Sequence, residues 1–437
     1  MTLPSSGIIS LNDINLELGK ASGTNTSLNA TDVRSLLGKP TPSSTISLSD
    51  AWGKGAQGIS SISTSTIMAI PSGGQGSTNF GEGNIAIQTA NGRKMFICPI
   101  SNATNAYTSN GWIASKTYAS DLGSSSGDTV VTGSAYIRFV TNMDAAAFVS
   151  LTSQVAIAWF SYNGTTTSLN MGRINGGLVG STAFTHVSNN IASFSGMGLP
   201  GLSIAINSDD NVLVAYTTRN ATSPYPENPS YCIKSSALAS VKAVTSLTAT
   251  IGANCKILGA AAYGTNFYIS YYSITNTTFG VLKIDSTGTT VTNYPVTTSA
   301  TLRPQGSYSV NSSVTSDGVT MLTPIGSTSN FSILKFDMNA NTYTVGSNIA
   351  ASAIASNDGC FSLHRSDKSD IVSIRGNKIF VHSLDGATLE YSSPALTSSY
   401  TGDVDIMAAR LVYHNNDSLL MCQLSNTDLL MKRIYLN

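Results

Sequence analysis

The chain has 437 residues, zero formal net charge and only 11% charged residues, against about 25% in an average globular protein. Neutrality excludes a basic field for nucleic acid and an acidic tail, so no nucleic-acid partner is expected. A hydrophobic content of 41%, with 18 Tyr and 13 Phe, is enough for a large core, and the length suits one domain only if that domain is a closed array of repeats.

The opening MTLPSSGIIS has neither a basic n-region nor a long apolar h-region, so no secretory signal is expected. No window approaches about 18 uninterrupted apolar residues, so membrane insertion by a helix is not expected either. The cysteines (Cys98, Cys232, Cys255, Cys360 and Cys422) are odd in number, dispersed and without C-x-x-C spacing. That set reads as small apolar strand residues rather than a disulfide framework or a zinc site.

Residues 10–54 repeat one small pattern three times: SLNDINLELGK (10–20), SLNATDVRSLLGK (27–39) and SLSDAWGK (47–54). Ser10 with Asp13, and Ser47 with Asp50, give Ser-x-x-Asp, in which the serine caps the free N–H groups of a first turn and the acid favours the positive helix end. The nearest equivalent in the middle copy is Asn29 with Asp32. Gly19, Gly38 and Gly53 each close a copy and are followed by Lys, which predicts helices of about two turns ending in a left-handed glycine. Helices so short need outside support. Leu11, Ile14, Leu16, Leu18, Val33, Leu36, Leu37 and Trp52 are therefore expected to dock on another protein, or to pack on the rest of the chain.

In order, spacing and Gly-Lys ends, LPSSGIISLNDINLELGK, SLNATDVRSLLGKP and TISLSDAWGK resemble the N-terminal segment shared by many tailed-bacteriophage virion proteins, among them tail, fibre and appendage proteins. The resemblance covers residues 1–54 only. It implies a particle component located in the virion, synthesised in the bacterial cytoplasm, and attached to other virion proteins through residues 1–56.

From about residue 57 the sequence alternates apolar and polar residues between turns rich in Gly, Asn and Asp, which is a strand and hairpin pattern. A polar turn followed by a strongly apolar strand recurs. The strands start at Met95, Val155, Val212, Phe267, Val319, Ile371 and Leu419, with spacings that shrink from 60 to 48 residues. Units of about 50 residues have the size of a four-stranded propeller blade. The last unit supplies three strands only. The expected fold for 57–437 is therefore an all-β propeller, seven four-stranded blades closed by a strand from GISSISTSTIMAIP (58–71), with short helices outside it. Six or eight blades, an array of β-sandwiches or a parallel β-helix are the alternatives, and 110–150 resists parsing.

Catalytic patterns are missing from the sequence. It holds four histidines (His186, His364, His382, His414), no H-E-x-x-H, no G-x-S-x-G and no P-loop ending. Asp209, Asp210, Asp317, Asp367 and Asp370 sit in turns, where acids favour the turn itself. TSDGVTM (315–321) approaches a sialidase-type box but lacks the tryptophan, and NSDDN (207–211) shows no calcium cage. No enzyme, cofactor or metal is expected.

A binding surface is the stronger expectation. The loop 217–231, TTRNATSPYPENPSY, offers Arg219, Tyr225, Glu227, Asn228 and Tyr231, and the loop 101–112 offers Tyr107 and Trp112. Both would join second to third strands and share one propeller face. Aromatic faces flanked by amides suit a sugar or a protein. A structural particle component, present in multiple copies of a symmetric assembly, is the primary reading. A glycan-binding host adhesin and a glycan-degrading propeller are its rivals.

Overall fold

The structure is a computed structural model of the chain. It describes residues 10–37, 59–69, 86–90, 93–101, 111–119, 121–122, 125, 129–132, 139–151, 154–162, 165–175, 183–195, 201–219, 227–296, 310–315, 317–326, 330–346, 349–350, 360–365, 370–375, 378–383, 389–392, 410–414, 418–424 and 428–436.

Two short helices, α1 (Leu11–Glu17) and α2 (Thr31–Leu36), precede a run of strands. After β1 (Ile59–Ala69) the strands pair in chain order within successive sheets. One sheet holds β2 (Ala86–Ala90), β3 (Arg93–Ser101), β4 (Gly111–Tyr118) and β5 (Thr129–Thr132). The next holds β6 (Phe139–Ala147), β7 (Gln154–Tyr162), β8 (Thr166–Asn175) and β9 (Ala183–Ser195). Then come β10 (Leu202–Ile206), β11 (Val212–Arg219), β12 (Glu227–Lys234) and β13 (Ser240–Ser246). A one-turn helix, α3 (Thr248–Ile251), leads to β14 (Cys255–Tyr263), β15 (Asn266–Ser273), β16 (Thr278–Ile284) and β17 (Val291–Val296). The short β18 (Val310–Asn311) precedes a sheet of β19 (Ser313–Val314), β20 (Thr320–Gly326), β21 (Asn330–Asp337) and β22 (Thr342–Val345), with β23 (Ile349–Ala350) pairing on β21. Next are β24 (Cys360–Arg365), β25 (Asp370–Arg375), β26 (Lys378–Ser383) and β27 (Leu389–Ser392), with β18 beside β24 in parallel. The last sheet, β28 (Arg410–His414), β29 (Ser418–Leu424) and β30 (Asp428–Leu436), takes β1 as its fourth strand.

The result is all-β, mostly antiparallel four-stranded sheets with few helices, and it is a β-propeller. First strands pack side by side: β2 on β6, β6 on β10, β10 on β14, β14 on β18 and β19, β19 on β24, β24 on β28, and β28 back on β2. The closing strand falls where the incomplete last unit predicts it, with Ile59 opposite Leu436 and Ala69 opposite Asp428. Each recurrent apolar strand of the sequence is the second strand of its sheet, though β20 begins at Thr320 rather than Val319. The segment 110–150 resolves into β4, the four-residue β5 and β6.

The second strands are apolar on both sides because both sides are buried. In β7, residues Val155 to Phe160 are all fully buried. Alternation sends Val155, Ile157 and Trp159 into a core shared with Met95 and Ile97 of β3. It sends Ala156, Ala158 and Phe160 into the next core, with Val212, Val214 and Tyr216 of β11. Leu213 and Ala215 then meet Phe267, Ile269 and Tyr271 of β15, whose Tyr268 and Tyr272 turn to Met321 and Phe336. Cys232 and Cys255 are buried within these cores, and burial pushes the Cys232 thiol up to about 12. The other three cysteine side chains lie outside the described residues.

Polar ties cross the seams between first strands. The Asp144 carboxylate on β6 accepts from Ile204 N (3.0 Å) and Ser203 Oγ (3.2 Å) on β10. Ser203 Oγ in turn accepts from Ala260 N on β14 (2.9 Å). Farther round, Ser312 Oγ bonds Ser270 Oγ (2.9 Å) and Thr323 Oγ1 (2.7 Å). Gly259 stands at this seam, where a Cβ would fall 2.5 Å from Ser312 N and closer still to its side chain. Gly259→Ala is therefore predicted to destabilise the fold by about 1–3 kcal/mol, since backbone must give way. Chemical denaturation of the variant checks this, and an unchanged midpoint would contradict the close approach.

His382 on β26 is fully buried and stacked on Phe380, with ring centroids 6.3 Å apart. Burial lowers its imidazole from the ordinary 6.5 to about 4. Between those values the unfolded chain binds a proton that the folded chain refuses, so this contribution is complete above pH 6.5 and is lost as pH falls through 4. Wild type is predicted to lose up to ~3 kcal/mol more than His382→Gln between pH 6.5 and 4. Unfolding free energies measured across that window test it, and parallel curves would refute it.

Candidate functional sites

The N-terminal unit is built by caps. Asp13 N donates to Ser10 Oγ (3.2 Å), and the Asp13 carboxylate accepts from Ser10 N (2.7 Å), completing the expected capping box. The side-chain and then the backbone bond from Ser10 hold the Asp13 carboxyl below the usual carboxylate range. At the other end Gly19 has φ +70°, Gly19 N donates to Leu16 O (3.0 Å) and Lys20 N to Asn15 O (2.8 Å). Those two bonds are a Schellman stop. Gly38 and Gly53 lie outside the described residues, as does the third copy.

Amides strap the next loop to α1. Asn12 Oδ1 accepts from Gly23 N (2.8 Å) and Ser22 Oγ (3.1 Å), and Asn15 Nδ2 donates to Thr24 O (2.7 Å). Lys20 Nζ reaches Asp32 Oδ2 at 2.5 Å, tying the Lys that ends the first copy to the acid of the second. That bond from Lys20 lowers the Asp32 carboxyl. Asn29 does not cap α2 with Asp32 in the way the sequence suggested. Helix α2 starts at Thr31, and Asn29 Oδ1 instead accepts from Arg34 Nη1 (2.7 Å).

Ile14, Val33, Leu36 and Leu37 form one buried cluster, backed by Leu18, Leu28 and Ala30. All seven belong to residues 14–37. This corrects the expectation that the whole apolar set is offered to a partner. A stripe at helical spacing on α1 meets one on α2, and the two cover each other. Leu11 and Leu16 remain exposed, at 39% and 49%. Trp52 lies outside the described residues. The asparagine straps and the Lys20–Asp32 pair escaped the sequence reading; the Asn-x-x-Asn of NDIN was their only signal.

The second proposed surface is shorter than the sequence suggests. Strand pairing extends through Arg219 opposite Glu227 and Thr218 opposite Asn228, so only 220–226 connects β11 and β12. Thr218 Oγ1 donates to Asn228 O (3.3 Å), and Asn228 is half-buried. Tyr231 is a correction: it is fully buried, in the core between β11 and β15, and its hydroxyl donates to Gly288 O (2.8 Å). Burial raises its phenol. It presents no ring to solvent, because alternation along β12 turns it inward. Tyr225 and Tyr107 lie outside the described residues. Trp112 is on β4, its backbone paired with Ile100 and Thr132. The topology places the β3–β4 and β11–β12 connections on one face, two sheets apart.

Asp210, Asp317 and Asp285 are held in their turns by backbone N–H groups. Asp210, with φ +57°, accepts from Val149 N (2.8 Å) and Ser150 N (3.2 Å) in the neighbouring sheet's turn, and from the Ser150 hydroxyl. Asp317 accepts from Val319 N (3.0 Å). Asp285 takes Thr287 N, Thr289 N and Thr290 N at 2.9–3.0 Å; desolvation opposes its ionisation, yet these bonds and the threonine hydroxyls hold its carboxyl far below the usual range. Among the described residues no three His, Cys, Asp or Glu side chains come together in a metal-holding group. Among them too, no helix is long and apolar enough to cross a membrane.

No family model matches the chain, and no curated protein matches it. Solved structures do. The Dos1 propeller aligns over 80% of this chain and 92% of its own at 10% identity, with a TM-score of 0.43. A chain of the COPII outer coat vertex on membranes aligns over 81% and 83% at 14% identity, TM-score 0.45. A Bacteroides uniformis protein with a provisional 6-phosphogluconolactonase designation aligns over 77% and 93% at 12% identity, TM-score 0.47. At such identities and scores none of these likenesses carries an argument about activity or partners.

Proposed function

We propose that this chain is a structural component of a tailed-bacteriophage particle: its N-terminal segment attaches to other virion proteins, and a seven-bladed propeller is held outside that joint, in several copies of a symmetric assembly. The observation that carries the reading is the triplicated Ser…Gly-Lys pattern of residues 10–54, the segment that resembles those of virion proteins. Its first copy has the predicted cap and glycine stop, and among the described residues its buried cluster is built from positions within 14–37. A unit with its own core, joined to a propeller that closes without it, suits a modular attachment element. Seven blades are supported by the sheets among the described residues and by the sequence of packed first strands that returns from β28 to β2.

Within this reading Leu11 and Leu16 are the apolar groups that meet the partner, since Ile14, Leu18, Val33, Leu36 and Leu37 are turned into the small cluster. The experiment compares the full chain, a truncation lacking residues 1–54 and the double variant Leu11→Ser/Leu16→Ser, each added to particles assembled without this protein. The truncation is predicted to stay a folded monomer and fail to attach. The double variant should unfold like wild type and attach about tenfold or more weakly, equivalent to ~1.4 kcal/mol. A truncation that unfolds, or that still attaches, would defeat the proposal.

A further inference from the structure

We infer that the propeller has a fixed polarity on the particle: the face carrying the turns between first and second and between third and fourth strands lies toward the virion, and the opposite face points away. This rests on the attachment reading above and deepens it.

Strand direction supplies the argument. The β28–β29 turn lies beyond the pair His414 and Ser418, and Ser418 pairs with Tyr435 near the end of β30. Ile59, where the chain enters β1, is opposite Leu436. The chain therefore enters the propeller at its outer rim, on the face of the first-to-second turns. Ala69, at the far end of β1, is opposite Asp428, beside the second-to-third connection of that sheet. Alternation of strand direction puts the equivalent turns of every sheet on the same two faces.

The described turns of the entry face are cross-tied. On the entry face, side chains tie turns of adjacent sheets together. Asp210 holds the turn at Val149 and Ser150, Asn207 Nδ2 donates to Thr265 O (2.7 Å), and Ser208 N donates to Gly264 O (2.9 Å). Third-to-fourth turns are tied likewise: Arg173 donates to Ser236 O (2.9 Å), and Tyr268 Oη to Met338 O (2.7 Å). Cross-tied turns make a stiff base for a fixed joint. The opposite face carries α3 and the turn 274–277, where Ile274 is 41% exposed.

The chain between residues 37 and 59 could span at most about 75 Å if extended, and β1 crosses roughly 36 Å of propeller. A path round the rim is thus within reach and would bury the other face, so the test reads both. Ala340→Cys places a thiol in the β21–β22 turn on the entry face, and Ala249→Cys places one on α3 on the opposite face; both alanines are exposed. Each variant is labelled with a polymer-linked, membrane-impermeant maleimide, as free chain and in intact purified particles, against wild type. On particles Ala340→Cys should react roughly tenfold or more slowly than in the free chain, and Ala249→Cys should react at its free rate. Reversed protection, equal protection or no protection at either site overturns the polarity alone, provided the chain is present in the particles. Its absence from them, measured on the same samples, defeats the attachment reading and the polarity together.

Discussion

The rest of the fold depends on one constraint: the described second strands bury apolar side chains on both faces of their sheets. A sheet with one apolar face can stop at a single packing partner, but β7, β11 and β15 bury alternate side chains on opposite sides, so each sheet needs two neighbours. A linear stack would leave two such faces in water at its ends. A ring leaves none. The ring must still be fastened, and the fastening is the antiparallel ladder between β1 and β30, which joins the two ends of the propeller sequence in one sheet.

Low charge follows from the same arrangement. With few Lys, Arg, Asp and Glu, the seams are aligned by hydroxyls, amides and a few carboxylates bound to backbone N–H groups. Asp144, Ser203 and Ala260 link three successive first strands, and Tyr231 and Tyr268 use buried phenols to hold turns of the next sheet. These bonds are short-range and little screened by salt, unlike surface ion pairs. Among the described residues Tyr216, Phe267, Tyr268, Tyr271 and Phe336 serve the seams.

The repeat was legible because the second strands carry the strongest signal: they are buried on both sides, so their apolar runs are continuous. Outer strands were harder to see. The sequence SVKAVTS of β13 is largely exposed and β5 has four residues, which leaves little pattern to read. Tyr231 was misplaced for a definable reason. Pro229 stands within β12, opposite Thr217, and its missing N–H is tolerated near the start of that strand, whereas three prolines in a row of turn residues read as loop. In the N-terminal segment the capping box and the glycine stop were legible from local chemistry alone. The small core was not, because counting apolar groups overlooks what Asn12, Asn15 and the Lys20–Asp32 pair contribute by fixing the loop between the helices.

The central claim is that β1 is an integral stave of the ring. Native-state hydrogen exchange resolved to the amides of β1 and β30 measures this most directly. If β1 closes the ring, its paired amides exchange only through global unfolding, with the same free energy and denaturant dependence as those of β29 and β30. If β1 amides exchange rapidly and independently of denaturant while β29 and β30 stay protected, the strand is a detachable flap and the account of closure is wrong.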